Sequence, residues 1–242
     1  VDFFRNGRKR IMNSLKALIQ RYQLTSLVIL AALLAVVLPL SLDIFRLNMV
    51  GKYLCYAFVA VGLVMVWGYG GILSLGQGVF FGLGGYAMAM FLKLEASDVV
   101  STKIQSTPGI PDFMDWNQLT ELPTFWLPFK SLPLTLIAVV AVPVALAWLI
   151  SFAMFKRRVG GVYFAIITQA VALIVTVLIV GQQGYTGGVN GMTDLKTLLG
   201  WDTRTDSAKY ILYYVCVALL IASIVLCRFI QTSKLGTLLL AM

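Results

Sequence analysis

The sequence contains no histidine, and its three cysteines, Cys55, Cys216 and Cys227, lie inside or at the end of apolar runs. That leaves no ligand set for a structural or catalytic zinc ion. Cysteines so scattered read as buried thiols, not as a disulfide frame. Charge is scarce as well. Asp, Glu, Lys and Arg make up 12% of the chain, against roughly 25% in soluble domains. With 60% hydrophobic residues and a mean hydropathy of +0.89, the composition excludes a soluble fold and points to helices packed in lipid.

Six apolar runs are long enough to cross a bilayer, at about 24–42, 49–67, 72–92, 132–155, 162–181 and 210–227. The expected fold is therefore an all-α integral membrane protein with about six transmembrane helices, the third rich in glycine. The 24–42 run is too long for a cleavable signal core and has no clear cleavage site, so it reads as a retained first span. Before it, residues 1–23 carry Arg5, Arg8, Lys9, Arg10, Lys16 and Arg21 against Asp2, and 11–22 suits a short interfacial helix. The excess of positive charge, +9 in all, clusters at span ends and reads as topology rather than nucleic-acid recognition. The amino-terminal cluster, Lys156-Arg157-Arg158, and Arg228 with Lys234 all fall on one side, which the positive-inside bias makes cytoplasmic. On the other side lie an acidic excursion, 93–131, and a charge-balanced loop, 181–207. Within the excursion 115–122 fits a short helix, and Trp116, Trp126 and Phe129 suit the bilayer interface. It reads equally as a folded cap or as a docking surface.

No ionisable side chain is expected at the middle of any span. Ion-coupled carriers need such groups for their relay, and an intramembrane hydrolase needs an acid, base or metal at depth. What is polar at depth is neutral: Ser74, Gln77, Thr168, Gln169 and Thr176. Amides and hydroxyls exchange hydrogen bonds with a small uncharged solute without stripping an ion of water. Ser74, Gln77, Thr168 and Gln169 are thus pathway candidates, with helix packing as the plainer reading of each. The stretch 70–92, GGILSLGQGVFFGLGGYAMAMFL, dominates the chain. On one continuous helix Gly71, Ser74, Gly78, Gly82, Gly85 and Ala89 share an arc of roughly 80°; a broken or re-entrant third span is the open alternative. Small residues let backbones meet closely in lipid. Phe81 interrupts the stripe at one edge and Gln77 sits beside it. The stripe is a helix-packing face that either stops there or also borders a solute route. In the late loop, Thr186, Gly187, Gly188, Asn190 and Gly191 form a turn that requires glycine dihedrals, and Asn190 is a candidate for solute contact.

Three motifs, GGILSLGQGVFFGLGGYAMAM, RRVGGVYFAIITQA and TGGVNGMTDLKTLLG, together resemble the permease subunits of the branched-chain amino acid (LIV) class of ABC importers. The first and third are most similar to the urea-type branch, in its second permease subunit. The resemblance spans most of 49–200. It implies a transmembrane permease domain over 24–229 in a bacterial-type plasma (inner) membrane, amino terminus cytoplasmic. It further implies a heterodimer with a related permease, two cytoplasmic ATPase subunits and an extracytoplasmic solute-binding protein. ATP would bind those ATPases; this chain would hold no cofactor or metal and catalyse nothing. Urea or a related small polar solute is the implied cargo, with branched-chain or other amino acids next. A passive channel for small neutral solutes and a scaffold subunit are the competing classes. Residues 230–242 match the start of the family's cytoplasmic coupling region, so the chain is expected to be the amino-terminal part of a longer permease. Lys156, Arg157, Arg158 and Lys234 are the candidates for ATPase coupling.

Overall fold

The computed structural model describes Tyr22 and residues 24–241. The basic amino-terminal cluster, all but Tyr22 of the interfacial helix expected over 11–22, and Met242 lie outside the described residues. Six described helices are long and apolar enough to span a membrane, with 18 to 27 residues each. They are α1 (Leu24–Ser41), α2 (Ile44–Tyr69), α3 (Gln77–Ala96), α5 (Leu132–Lys156), α6 (Gly161–Gly181) and α7 (Asp206–Thr232). Shorter helices accompany them, among them α4 (Asp112–Trp116) and α8 (Lys234–Ala241). This is an all-α membrane fold.

The spans form two groups. In the first, α1, α2 and α7 close on Leu34, Leu47, Leu54, Tyr213, Val217 and Leu220. Proline explains how α1 joins. Pro39 has no N–H, so carbonyls four and five residues before it lose their helical donors. These are Leu34 and Ala35, inside the π-helical turn Leu33–Val37. They instead accept hydrogen bonds from the α7 hydroxyls of Tyr213 (2.6 Å) and Tyr214 (3.3 Å). Cys55 and Cys216 meet in the same α2–α7 seam, their sulfurs 3.8 Å apart and unbridged.

In the second group α3 packs along α5. Gly84 sits at the closest approach: a β-carbon there would lie 3.1 Å from Val139 O. Pro143, inside α5, removes the N–H that would otherwise occupy that carbonyl. The connections 97–131 and 182–205 fall at one end of the bundle, hereafter the capped face. The segments 70–76, 157–160 and 233–241 fall at the other, the basic face. On the capped face Met90, Ile110, Phe113, Met114 and Trp126 make a second core. Trp126 is fully buried and donates to Tyr185 O at 3.2 Å. It is a core residue of the cap, not the interfacial anchor expected. Trp116 remains exposed. The short helix lies at Asp112–Trp116, earlier than expected, because Asp115 accepts from the N–H groups of Ser106 and Thr107. A two-residue hairpin, β1 (Thr197–Leu198) with β2 (Trp201–Asp202), completes the cap. Its turn, Leu199 and Gly200, has positive φ at both residues and donates both N–H groups to the Glu95 carboxylate.

Candidate functional site

The glycine-rich stretch is not one helix. α2 ends in a π-helical turn, Val64–Tyr69, and the backbone then reverses through Gly71 at φ +64°. Helix resumes only at Gln77. The intervening residues 72–76 are non-helical and pack into the bundle. Leu75 N–H donates to the Thr168 hydroxyl at 3.1 Å, about two turns into α6 and thus roughly 10 Å along its axis. The hydroxyl is itself bonded to the carbonyls of Phe164 and Ala165. At Gly76 a β-carbon would stand 2.7 Å from Thr168 O and 3.2 Å from Thr168 Cβ. Only glycine fits there. Non-helical backbone at such depth is tolerated where protein buries it or where it lines a cavity, and here both hold: Ser74 and Gly76 are buried.

Beside this lead-in lies a cleft of about 580 Å³. One wall is Met65 and Val66 of α2, with Gly70 and Ile72 following. Facing them are Gln77 and Phe80 of α3, Phe164 and Thr168 of α6, and α5 side chains from Pro143 to Phe155. Leu239 of α8 closes the side toward the basic face. No ionisable side chain lines the cleft among the described residues. Its polar side chains are Ser74, Gln77, Ser151 and Thr168; the rest of the wall is apolar.

Three of the five pathway candidates, Ser74, Gln77 and Thr168, therefore meet in one place. Gln169 does not: it is exposed on the far side of α6. Asn190 is exposed at the opposite end of the molecule, in the turn Gly188–Asn190, whose neighbours Gly187 and Gly191 have φ of +81° and +65°. The Thr176 hydroxyl bonds Ala172 O on its own helix. Ser151 was not anticipated. Its signal was the spacing Pro143, Ala147, Ser151, which puts all three on one face of α5.

The small-residue stripe changes as well. Gly71 and Ser74 precede α3 and do not share its face. Among the described residues nothing beyond α3's own backbone comes within 4 Å of a β-carbon position at Gly78, Gly82 or Gly85, whereas Gly84 touches α5. The face carrying Gly78, Gly82, Gly85 and Ala89 is thus not the contact between α3 and α5. On the basic face, Lys156 ends α5 with its ammonium 5.3 Å from the Phe152 ring. Arg157 and Arg158 turn the chain, Arg158 at φ +52°, and Lys234 opens α8. All four cationic coupling candidates are exposed. Their neighbours Phe155 and Leu239 both line the cleft.

The model of a family described as branched-chain amino acid transport system / permease component matches residues 45–242. No curated protein and no solved structure matches the chain.

Proposed function

Because the chain belongs to the family of branched-chain amino acid transport system permease components, we propose that it is a permease subunit of an ATP-driven importer for urea or a related small polar solute. The observation that carries this reading is the cleft itself, a cavity at depth with four neutral hydrogen-bonding side chains and no fixed charge. Such a lining exchanges hydrogen bonds with an uncharged solute and holds no counter-ion that would trap it. The chain is a transporter component, not an enzyme. In this reading the basic face is cytoplasmic in a bacterial-type inner membrane, the orientation that the positive-inside bias favours. Two ATPase subunits bind there, near Lys156, Arg157, Arg158 and Lys234. Movement of those segments deforms the cleft through Phe155 and Leu239. An extracytoplasmic binding protein delivers solute to the capped face.

A branched-chain or other amino acid is the second reading. Its support is the apolar part of the wall, where Phe80, Val144, Ile150, Phe155 and Phe164 offer a bed for an aliphatic side chain. The test is uptake of labelled urea and labelled leucine by the complete complex in proteoliposomes. Saturable urea uptake that requires ATP is the expected result. Leucine uptake alone moves the cargo to the second reading, and flux without ATP makes the protein a passive channel.

The exposed face of α3 is where a related permease would pack. Gly78→Leu and Gly82→Leu add bulk from β-carbon positions that meet no other element among the described residues, so the chain's own thermal unfolding should hardly change. Co-purification of the second permease should fall severalfold, since the added side chains hold the two backbones apart. Undiminished co-purification would place the stripe against lipid.

A further inference from the structure

We propose that the lead-in and first turn of α3 form an oxygen-binding pole at one end of the cleft, which receives the planar C=O or carboxylate group of the solute. The proposal rests on the cleft being the solute route. A helix begins with N–H groups that have no intrahelical acceptor, and its N-terminal end carries a partial positive charge. Most such ends are closed by a serine, threonine, aspartate or asparagine at the N-cap. Here the N-cap is Gly76, with no side-chain bond. No capping residue can replace it, because its β-carbon would collide with the Thr168 carbonyl. Close packing of the lead-in on α6 therefore keeps the α3 terminus open, and Gln77 at its first position lines the cavity.

A second observation points the same way. Ser74 is 5% exposed and lines the cleft, yet no described residue hydrogen-bonds its hydroxyl. Thr168, buried as deeply, has its hydroxyl fully engaged by Leu75, Phe164 and Ala165. Ser74 is buried and its hydroxyl is left to the cleft, so it is free to donate to an acceptor on a ligand. The open helix end and the Ser74 hydroxyl belong to one short stretch and present donors to one cavity that lacks a carboxylate. An acceptor oxygen on the solute satisfies them. The carbonyl of urea and the carboxylate of an amino acid share that chemistry.

The experiment is competition against labelled-solute uptake by the complete complex, with probes matched in shape. For a carbonyl ligand, acetamide competes and guanidinium, which keeps the planar shape of urea without its oxygen, does not. For a carboxylate ligand, leucine competes and leucinol does not. Guanidinium competing as well as its carbonyl-bearing counterpart, or leucinol as well as its carboxylate-bearing one, overturns the pole. In Ser74→Ala the KM should rise roughly 5–10-fold, the loss of one neutral hydrogen bond, with co-purification of the complex as the check on its folding. An unchanged KM also overturns it. If Ser74→Ala fails to assemble, the competitor panel on the unaltered complex decides alone. A complex that shows no ATP-dependent uptake of any probe overturns the route reading and the pole with it, whereas normal uptake with indiscriminate competition overturns only the pole.

Discussion

Replacing Asp112 with alanine should destabilise the capped face by roughly 3–5 kcal/mol, the cost of leaving a buried charge without its partner. The charge is Lys93, in the last turn of α3, with a side chain only 4% exposed and its ammonium 2.8 Å from Asp112 Oδ1. A further bond runs from Lys93 Nζ to Thr193 O at 3.0 Å. One lysine thus ties a transmembrane helix to both segments of the cap, α4 in the first and the Thr193 loop in the second. Without Asp112 the ammonium keeps one neutral acceptor in a largely water-free site. Removing both charges, in Lys93→Met with Asp112→Leu, should recover most of the loss, because neither variant group then needs solvation. Removing Asp194 or Asp202 instead, whose pairs with Lys196 and Arg204 are exposed, should change stability by less than about 1 kcal/mol. Thermal unfolding in detergent measures all four. A double variant no more stable than Asp112→Ala would show that the pair does not hold the cap.

The six spans were legible because apolar runs of that length have few other uses. Their interior ends were less so, for reasons that can be named residue by residue. Lys93 reads as the first residue of a polar loop, since a charge after an apolar run normally marks the water boundary. Its partner, 19 positions on in a stretch of loop composition, is what lets α3 continue to Ala96. Trp126 reads as an interfacial anchor by residue type, and only the cap above it makes it core. The glycine content allows a break in this span without placing it, because glycine, leucine and serine suit both a non-helical lead-in and a lipid-facing helix. The break is set by a contact with Thr168, 93 residues away. The polar candidates were legible up to rotation. Thr168 and Gln169 satisfy the same rule of neutrality at depth, but neighbours on a helix point about 100° apart, and only Thr168 faces the cleft. A stripe drawn across Gly71 and Ser74 failed for the same reason: it assumed a helix where none is present.

The second large effect is expected at Gly76. Gly76→Ala should abolish uptake and destabilise the fold by about 1–3 kcal/mol, the usual range for overpacking. The added carbon would meet Thr168 O at 2.7 Å, and that oxygen belongs to the α6 backbone. It cannot swing aside as a side chain would. Relief requires the lead-in to withdraw from α6, which breaks the bond from Leu75 N–H to the Thr168 hydroxyl and shifts Ser74 and Gln77 in the cleft. Gly82→Ala is the control for the chain's own stability: among the described residues nothing beyond α3's own backbone lies within 4 Å of its β-carbon position, and alanine favours helix over glycine by roughly 1 kcal/mol. Uptake by the complete complex and thermal unfolding separate the two. The identity of the obstructing atom sharpens the test. Shortening the side chain in Thr168→Ala leaves the carbonyl in place, so adding it to Gly76→Ala should restore neither measurement. Restoration would mean that the side chain, not the backbone, sets the spacing. Wild-type uptake by Gly76→Ala would mean that α3 starts with slack, and the open helix end would then owe nothing to the glycine beneath it.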